Sequence, residues 1–122
     1  MTIEKIEQDN KILALVTGNE KIITDVQSAL DVAMSVKYDI NTNKIIIDKK
    51  VIAEDFFILS TGLAGEILQK YINYDVKIAI YGDYSRYTSK PLKDFIYESN
   101  NGKDVFFVSS KDEAVKKLIN IS

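Results

Sequence analysis

The feature that most constrains the fold is a run of three isoleucines, residues 45–47, between Lys44 and Asp48. β-Branched side chains favour extended backbone, and an unbroken apolar run this short is typical of a strand covered on both faces. Such strands belong to parallel sheets, whose crossover helices pack on the faces. Residues 76–81 have the same character and predict a second buried strand.

Helical patterns alternate with strands along the rest of the chain. The predicted order is β-β-α-β-α-β-α-β-α, which implies right-handed crossovers and a mostly parallel sheet. An antiparallel hairpin opens the chain, because Asp9 and Asn10 tolerate the left-handed backbone of a tight turn. The predicted strands are 3–7, 11–17, 44–48, 76–81 and 104–108, and the predicted helices are 24–38, 61–73, 91–99 and a last one after residue 110.

Short motifs mark the ends of these helices. Two pairs have capping-box spacing, and a proline suits a first helical turn, where its missing N–H is no loss. Residues 100–102, Asn-Asn-Gly, predict a left-handed stop. Residues 51–59 are ambiguous and leave room for a short helical turn. The motifs that predict helix starts are the capping-box pairs Thr24 with Gln27 and Ser110 with Glu113, and the proline Pro91. In the first helix, the side chains expected to face the core are Val26, Ala29, Leu30, Ala33 and Met34.

Composition narrows the class of protein. The 122 residues fit one domain, 1–122. The chain has no Cys and no His, which excludes disulfides, thiolate metal sites and the usual general base. A net charge of −2 argues against nucleic-acid binding. No signal peptide and no apolar run of about 20 residues is visible, so we expect a cytoplasmic domain without membrane contact.

The order of elements resembles that of the STAS domain, the small α/β module of bacterial anti-anti-sigma regulators and of transporter tails. In those regulators an Asp-Ser-Ser-Gly-Leu-Gly type turn opens the helix after the third strand, and a kinase acts there to switch partners. Residues 59–65 here read Leu-Ser-Thr-Gly-Leu-Ala-Gly. The aspartate is missing, and the connection from Asp48 is a few residues longer than in the STAS pattern.

Three stretches are similar to an uncharacterised bacterial family, domain of unknown function 4180. That resemblance brings no established activity with it. The stretches are Glu-Asp-Phe-Phe at 54–57, Leu-Ala-Gly-Glu-Ile-Leu-Gln-Lys at 63–70, and Gly-Asp-Tyr-Ser at 82–85 leading to Asp-Phe-Ile-Tyr-Glu at 94–98.

Two aspartates follow the predicted buried strands, at the edge where open parallel sheets usually bind ligands. Asp48 and Asp83 on neighbouring strand ends would offer Mg²⁺ the oxygen ligands that it prefers. The alternative, which we favour, is that each aspartate caps a turn through its own backbone, as Asp commonly does where strands end.

The segment before the second helix offers another hypothesis. A helix N-terminus presents free N–H groups, so it would accept a phosphate on Ser60 or Thr61. Because the aspartate of the STAS turn is missing, we favour an ordinary N-cap there. Just ahead, residues 54–57 join Glu54 and Asp55 to two adjacent phenylalanines. If this segment is helical, the two rings cannot both face the core, and one is then available for contact with a partner.

The loop 82–89 is the predicted functional rim. It combines Asp83 and Ser85 with Arg86 and with tyrosines at 84 and 87, which give contact area and a polar tip. Tyr84 and Arg86 are expected at the surface, so that replacing either with Ala costs little stability. The alternative is that some of these rings pack over the sheet edge.

These observations favour a non-enzymatic regulatory or binding module without a cofactor, engaging a protein partner or a small ligand at the carboxyl edge of its sheet. Pairing into a homodimer is compatible with the aromatic loop, and the sequence does not fix the stoichiometry. The alternative function is a small Mg²⁺-dependent hydrolase or phosphoryl-transfer enzyme that uses Asp48 and Asp83. The candidate ligand- or partner-binding residues are Asp48, Asp55, Ser60, Thr61, Asp83, Tyr84, Ser85 and Arg86.

Overall fold

Strands and helices alternate along residues 1–121, the part of the chain that this computed structural model describes. Three 3₁₀ turns, Lys49–Val51, Glu54–Phe57 and Leu59–Thr61, fill the connection that the sequence left ambiguous. The main elements are β1 (Thr2–Gln8), β2 (Lys11–Thr17), α1 (Val26–Ile40), β3 (Lys44–Asp48), α2 (Leu63–Asn73), β4 (Lys77–Tyr81), α3 (Lys90–Asn100), β5 (Val105–Val108) and α4 (Lys111–Ile119).

The strands form one sheet in the order β1-β2-β3-β4-β5. β1 and β2 are antiparallel around a two-residue turn, in which Asp9 and Asn10 have φ angles of 54° and 63°. β2, β3, β4 and β5 are parallel neighbours. This arrangement confirms the predicted α/β class, the opening antiparallel hairpin and the mostly parallel sheet.

The two faces of the sheet are covered unequally. The core residues of α1, α2 and α3 pack on one face, and those of α4 pack on the other. Ile45 and Ile47 point to the first face and Ile46 to the second, and none of the three has exposed surface. Burial on both faces is the physical reason for the unbroken isoleucine run.

The cap and the buried face of α1 differ from the prediction. The helix starts after Asp25, whose carboxylate accepts a hydrogen bond from the Ser28 backbone N–H at 2.7 Å, so the predicted Thr24 and Gln27 box is wrong. Met34, predicted to face inward, is 69% exposed. The buried stripe is Ala29, Val32 and Val36, which α2 and the sheet select.

Two further helix ends are corrected. α3 ends at Asn101 with a right-handed φ of −84°, so the predicted left-handed stop is wrong. At α4, Ser110 accepts from the Glu113 backbone N–H at 3.2 Å, but the Glu113 carboxylate takes the Ser109 hydroxyl instead of closing a capping box. No helix in the described part of the chain is both long and apolar enough to cross a membrane.

Candidate functional site

The structure brings two segments together at the carboxyl edge of the sheet. Residues 54–61 follow β3 and residues 82–89 follow β4. The Phe57 and Tyr87 rings stack with centroids 5.6 Å apart and planes at 22°. The Glu54 carboxylate accepts the Tyr87 hydroxyl at 2.8 Å and lies 3.6 Å from the Arg86 guanidinium. We give the name carboxyl-edge surface to seven of the exposed residues in these segments, Asp55, Ile58, Ser60, Thr61, Asp83, Ser85 and Arg86.

Tyr84 does not belong to that surface, and its predicted exposure is wrong. Its hydroxyl donates to the Ile80 carbonyl at 2.9 Å, and its ring lies 5.8 Å from the Phe107 ring and 6.1 Å from the Phe57 ring. Burial raises the pKa of Tyr84, with smaller effects from Tyr87 and Asp48. The ring therefore anchors the loop to the core.

Asp48 and Asp83 both cap backbone turns. Asp48 accepts from the Lys50 backbone N–H at 2.8 Å, and Asp83 accepts from the Ser85 backbone N–H at 2.8 Å. Hydrogen bonds from Ser85, helped by the charges of Lys49 and Arg86, hold the pKa of Asp83 below its usual value. Within residues 1–121 no group of three or more acidic, His or Cys side chains is placed to hold a metal ion. The magnesium hypothesis stays a prediction.

Ser60 and Thr61 differ in what their hydroxyls do. The Thr61 hydroxyl faces the Asp55 carbonyl at 2.8 Å and the Ile58 carbonyl at 2.9 Å, and its oxygen accepts from the Leu63 N–H at 3.2 Å. Thr61 therefore holds the turn before α2, whereas the N-cap is Gly62, so the predicted N-cap at Ser60 or Thr61 is wrong. The Ser60 side chain is exposed and makes no hydrogen bond with the residues that the structure describes. Phosphorylation there stays a prediction.

Arg86 and Ser85 are exposed, as expected for a rim. The Arg86 guanidinium lies over the Tyr87 ring, 5.7 Å from its centroid. Tyr81, which ends β4, packs on the other face of the sheet, and burial, with the Asp48 charge second, raises the pKa of Tyr81. The loop therefore presents a cation and hydroxyls above a packed aromatic layer.

The sequence places Lys49 at the carboxyl edge, directly after the third strand, but Lys49 was not among the predicted binding residues; the structure places it at the centre of the site. The side chain is only 9% exposed, and its ammonium nitrogen lies 4.8 Å from the Tyr87 centroid and 5.1 Å from the Phe57 centroid. Its stem crosses Gly82, where an added Cβ would stand 2.7 Å from the Lys49 Cβ. The available signal was a lysine directly after a buried strand, opposite a glycine that ends the next strand.

Two open cavities lie at opposite edges of the sheet. A crevice of about 490 Å³ opens beyond Gly82, between residues 82–84 and the start of α4. A larger groove of about 990 Å³ lies at the amino edge, beside α1 and the starts of β2 and β3. The larger groove contains none of the predicted site residues, whereas Asp83 and Tyr84 line the smaller crevice.

The family described as "Domain of unknown function (DUF4180)" matches residues 8–118. The chain belongs to the DUF4180 family. The matched range contains the whole carboxyl-edge surface and Lys49 of this DUF4180 chain. No curated protein has significant sequence similarity to it. A crystal structure described as a putative anti-sigma factor antagonist from Thermotoga maritima is similar at a TM-score of 0.46 and 14% identity, over 97% of this chain and 95% of that one.

Proposed function

We propose that this DUF4180 chain is a non-enzymatic regulatory module that binds a protein partner at the carboxyl edge of its sheet. The observation that carries the proposal is the joining of residues 54–61 to residues 82–89. Each segment alone exposes only a few side chains. Joined through Glu54, Phe57 and Tyr87, they form one continuous surface.

The composition of that surface suits recognition of a protein. Ile58 is 48% exposed and offers apolar contact, while Ser60, Ser85 and Arg86 offer directed hydrogen bonds. Protein interfaces combine such apolar contact with polar groups around it, and they are enriched in Arg. The packed aromatic layer beneath holds the surface in place before a partner arrives, which lowers the entropy lost on binding.

The test is affinity capture from a lysate of the native host with three immobilised proteins: wild type, Arg86→Ala and Lys103→Ala. Lys103 is an exposed cation in the α3–β5 connection, at the amino edge, and serves as the matched control. We expect wild type and Lys103→Ala to retain the same partner and Arg86→Ala to lose most of it at an unchanged melting temperature. Equal retention by all three proteins would place the binding elsewhere.

A further inference from the structure

The Lys49 ammonium has no directly bonded anionic partner, although its charge and that of Asp83 attract each other at longer range. It makes no salt bridge or hydrogen bond with the residues that the structure describes, although the side chain is more than nine-tenths buried. The ammonium lies over the Tyr87 and Phe57 rings, whose faces attract a cation. Because no carboxylate is bonded to it, the ammonium can pair directly with an added anion.

The neighbouring carboxylates do not fill this role, because each has another partner. Asp48 accepts from the Lys50 backbone, Asp83 accepts from the Ser85 backbone, and Glu54 accepts from Tyr87 and faces Arg86. The ammonium is also reachable, since no polar side-chain atom sealed from solvent in the described residues lacks a partner. The ammonium nitrogen consequently keeps some contact with solvent.

We propose that Lys49 is the anion-binding residue of a carboxylate site, in which the partly exposed ring of Tyr87, backed by the buried Phe57 ring, contacts the apolar body of the acid. The proposal deepens the proposed function, because it names the group that a partner or a small ligand would present. A single negative charge fits better than the double charge of phosphate, since Asp83 and Glu54 stand close by and would repel a dianion.

The fixed geometry supports a built site. The stem of Lys49 is wedged against Gly82, so the ammonium does not swing out into water, as an exposed lysine would. Lys50, the next residue, shows the contrast, because its side chain is 86% exposed. The pair provides a buried lysine and a matched exposed control one position apart.

The test is an NMR titration of the full chain with benzoate, with benzyl alcohol and inorganic phosphate as comparison compounds. We expect benzoate to shift the Lys49 ε-methylene and the Gly82 and Tyr87 amide signals, and benzyl alcohol not to. Lys49→Met should weaken benzoate binding by at least about tenfold, since a charge-assisted hydrogen bond is lost. Lys50→Met should bind as wild type does.

A short blocked peptide with one glutamate, compared with its glutamine counterpart, separates the two sources of a carboxylate. Binding of the glutamate peptide with the same Lys49 signature assigns the site to a protein partner, and binding of benzoate alone assigns it to a small acid. The proposal is overturned if neither carboxylate shifts the Lys49 signal, if Lys49→Met binds as tightly as wild type, or if phosphate binds more tightly than both.

Should Lys49→Met fail to fold, the response of the wild-type Lys49 ε-methylene to benzoate and to the glutamate peptide decides the matter. These probes are pure compounds, so their failure to bind overturns the carboxylate site without affecting the capture result for Arg86→Ala. Failure of the capture experiment likewise leaves the benzoate result valid.

Discussion

Tyr84 and Arg86 stand two positions apart in one loop and have opposite environments. Tyr84→Ala removes a ring packed on Phe57 and Phe107, and we expect it to lower the free energy of unfolding by about 2–4 kcal/mol. Arg86→Ala removes an exposed side chain and should change the free energy of unfolding by about 0.5 kcal/mol at most. Urea unfolding of both variants measures the difference, and equal losses would contradict the described packing of the loop.

Tyr71 gives the fold a dependence on alkaline pH. Its side chain is fully buried and donates to the Ala29 carbonyl at 2.6 Å, and burial raises its pKa. A raised pKa stabilises the fold below the unfolded value, about 10, and that stabilisation is lost as pH rises above it. Above about pH 10, we expect the free energy of unfolding of the wild type to fall by about 1.4 kcal/mol per pH unit more than that of Tyr71→Phe.

The control for Tyr71→Phe is Tyr97→Phe, because the Tyr97 side chain is 70% exposed. Unfolding free energies measured across alkaline pH should follow the wild-type curve for Tyr97→Phe. They should follow a shallower curve for Tyr71→Phe. Parallel curves for all three proteins would show that Tyr71 ionises as readily in the fold as in the unfolded chain.

At the scale of elements, the end of α3 protects the free edge of β5. Gly82 of the neighbouring strand donates to the Val108 carbonyl, so by alternation the backbone groups of Phe107 point away from the sheet. The Asn100 side-chain amide hydrogen-bonds to both of these backbone groups: it accepts from the Phe107 N–H at 2.7 Å and donates to the Phe107 carbonyl at 3.0 Å. One side chain thus satisfies the backbone groups of Phe107 that a sixth strand would otherwise bond.

Replacing Asn100 with Ala should leave both backbone groups unpaired and lower the free energy of unfolding by about 1–3 kcal/mol. The uncovered edge should also promote self-association, which light scattering at rising protein concentration would detect. Asn101→Ala is the matched control, because the Asn101 side chain is exposed. If Asn100→Ala matched this control in both measurements, the edge would be protected by other means.

At the scale of the whole molecule, α4 alone seals the second face of the sheet. Its Ala114, Leu118 and Ile119 pack on Leu15, Ile46 and Phe106 among others, while three helices share the opposite face. The described part of the chain is therefore a sandwich of unequal layers. One short helix buries the residues of β2 to β5 on that face, whereas β1 stays largely exposed.

Leu118→Ala should accordingly lower the free energy of unfolding by about 2–5 kcal/mol, because Leu118 has no exposed surface and no second helix on that face can move in to fill the cavity. Lys116→Ala, on the exposed side of α4, should change it by about 0.5 kcal/mol at most. Thermal and urea unfolding would measure both. A cost for Leu118→Ala no larger than that for Lys116→Ala would mean that α4 contributes little to the core.

The sequence by itself determined the order of elements and the direction of the strands. The isoleucine run requires a strand buried on both faces, and Asp9 with Asn10 specifies a tight turn. Each of these patterns determines the local backbone conformation from adjacent residues alone. Helix faces were less secure. Of the predicted inward face, Ala29 is buried and Val26 and Ala33 are partly buried against the core, whereas Met34 is exposed. Contact with α2 and the sheet instead buried Val32 and Val36, which the sequence did not single out.

Only the tertiary structure decided the composition of the candidate site. The sequence placed Asp48 and Asp83 at strand ends and favoured turn caps for both, and the structure confirms those caps. It could not pair Glu54 with Tyr87, or Lys49 with Gly82, because those contacts join segments about thirty residues apart. Turns and strands depend on neighbouring residues and can be predicted from them. The burial of Lys49 and the extent to which a tyrosine such as Tyr84 is exposed depend on which loops the fold brings together.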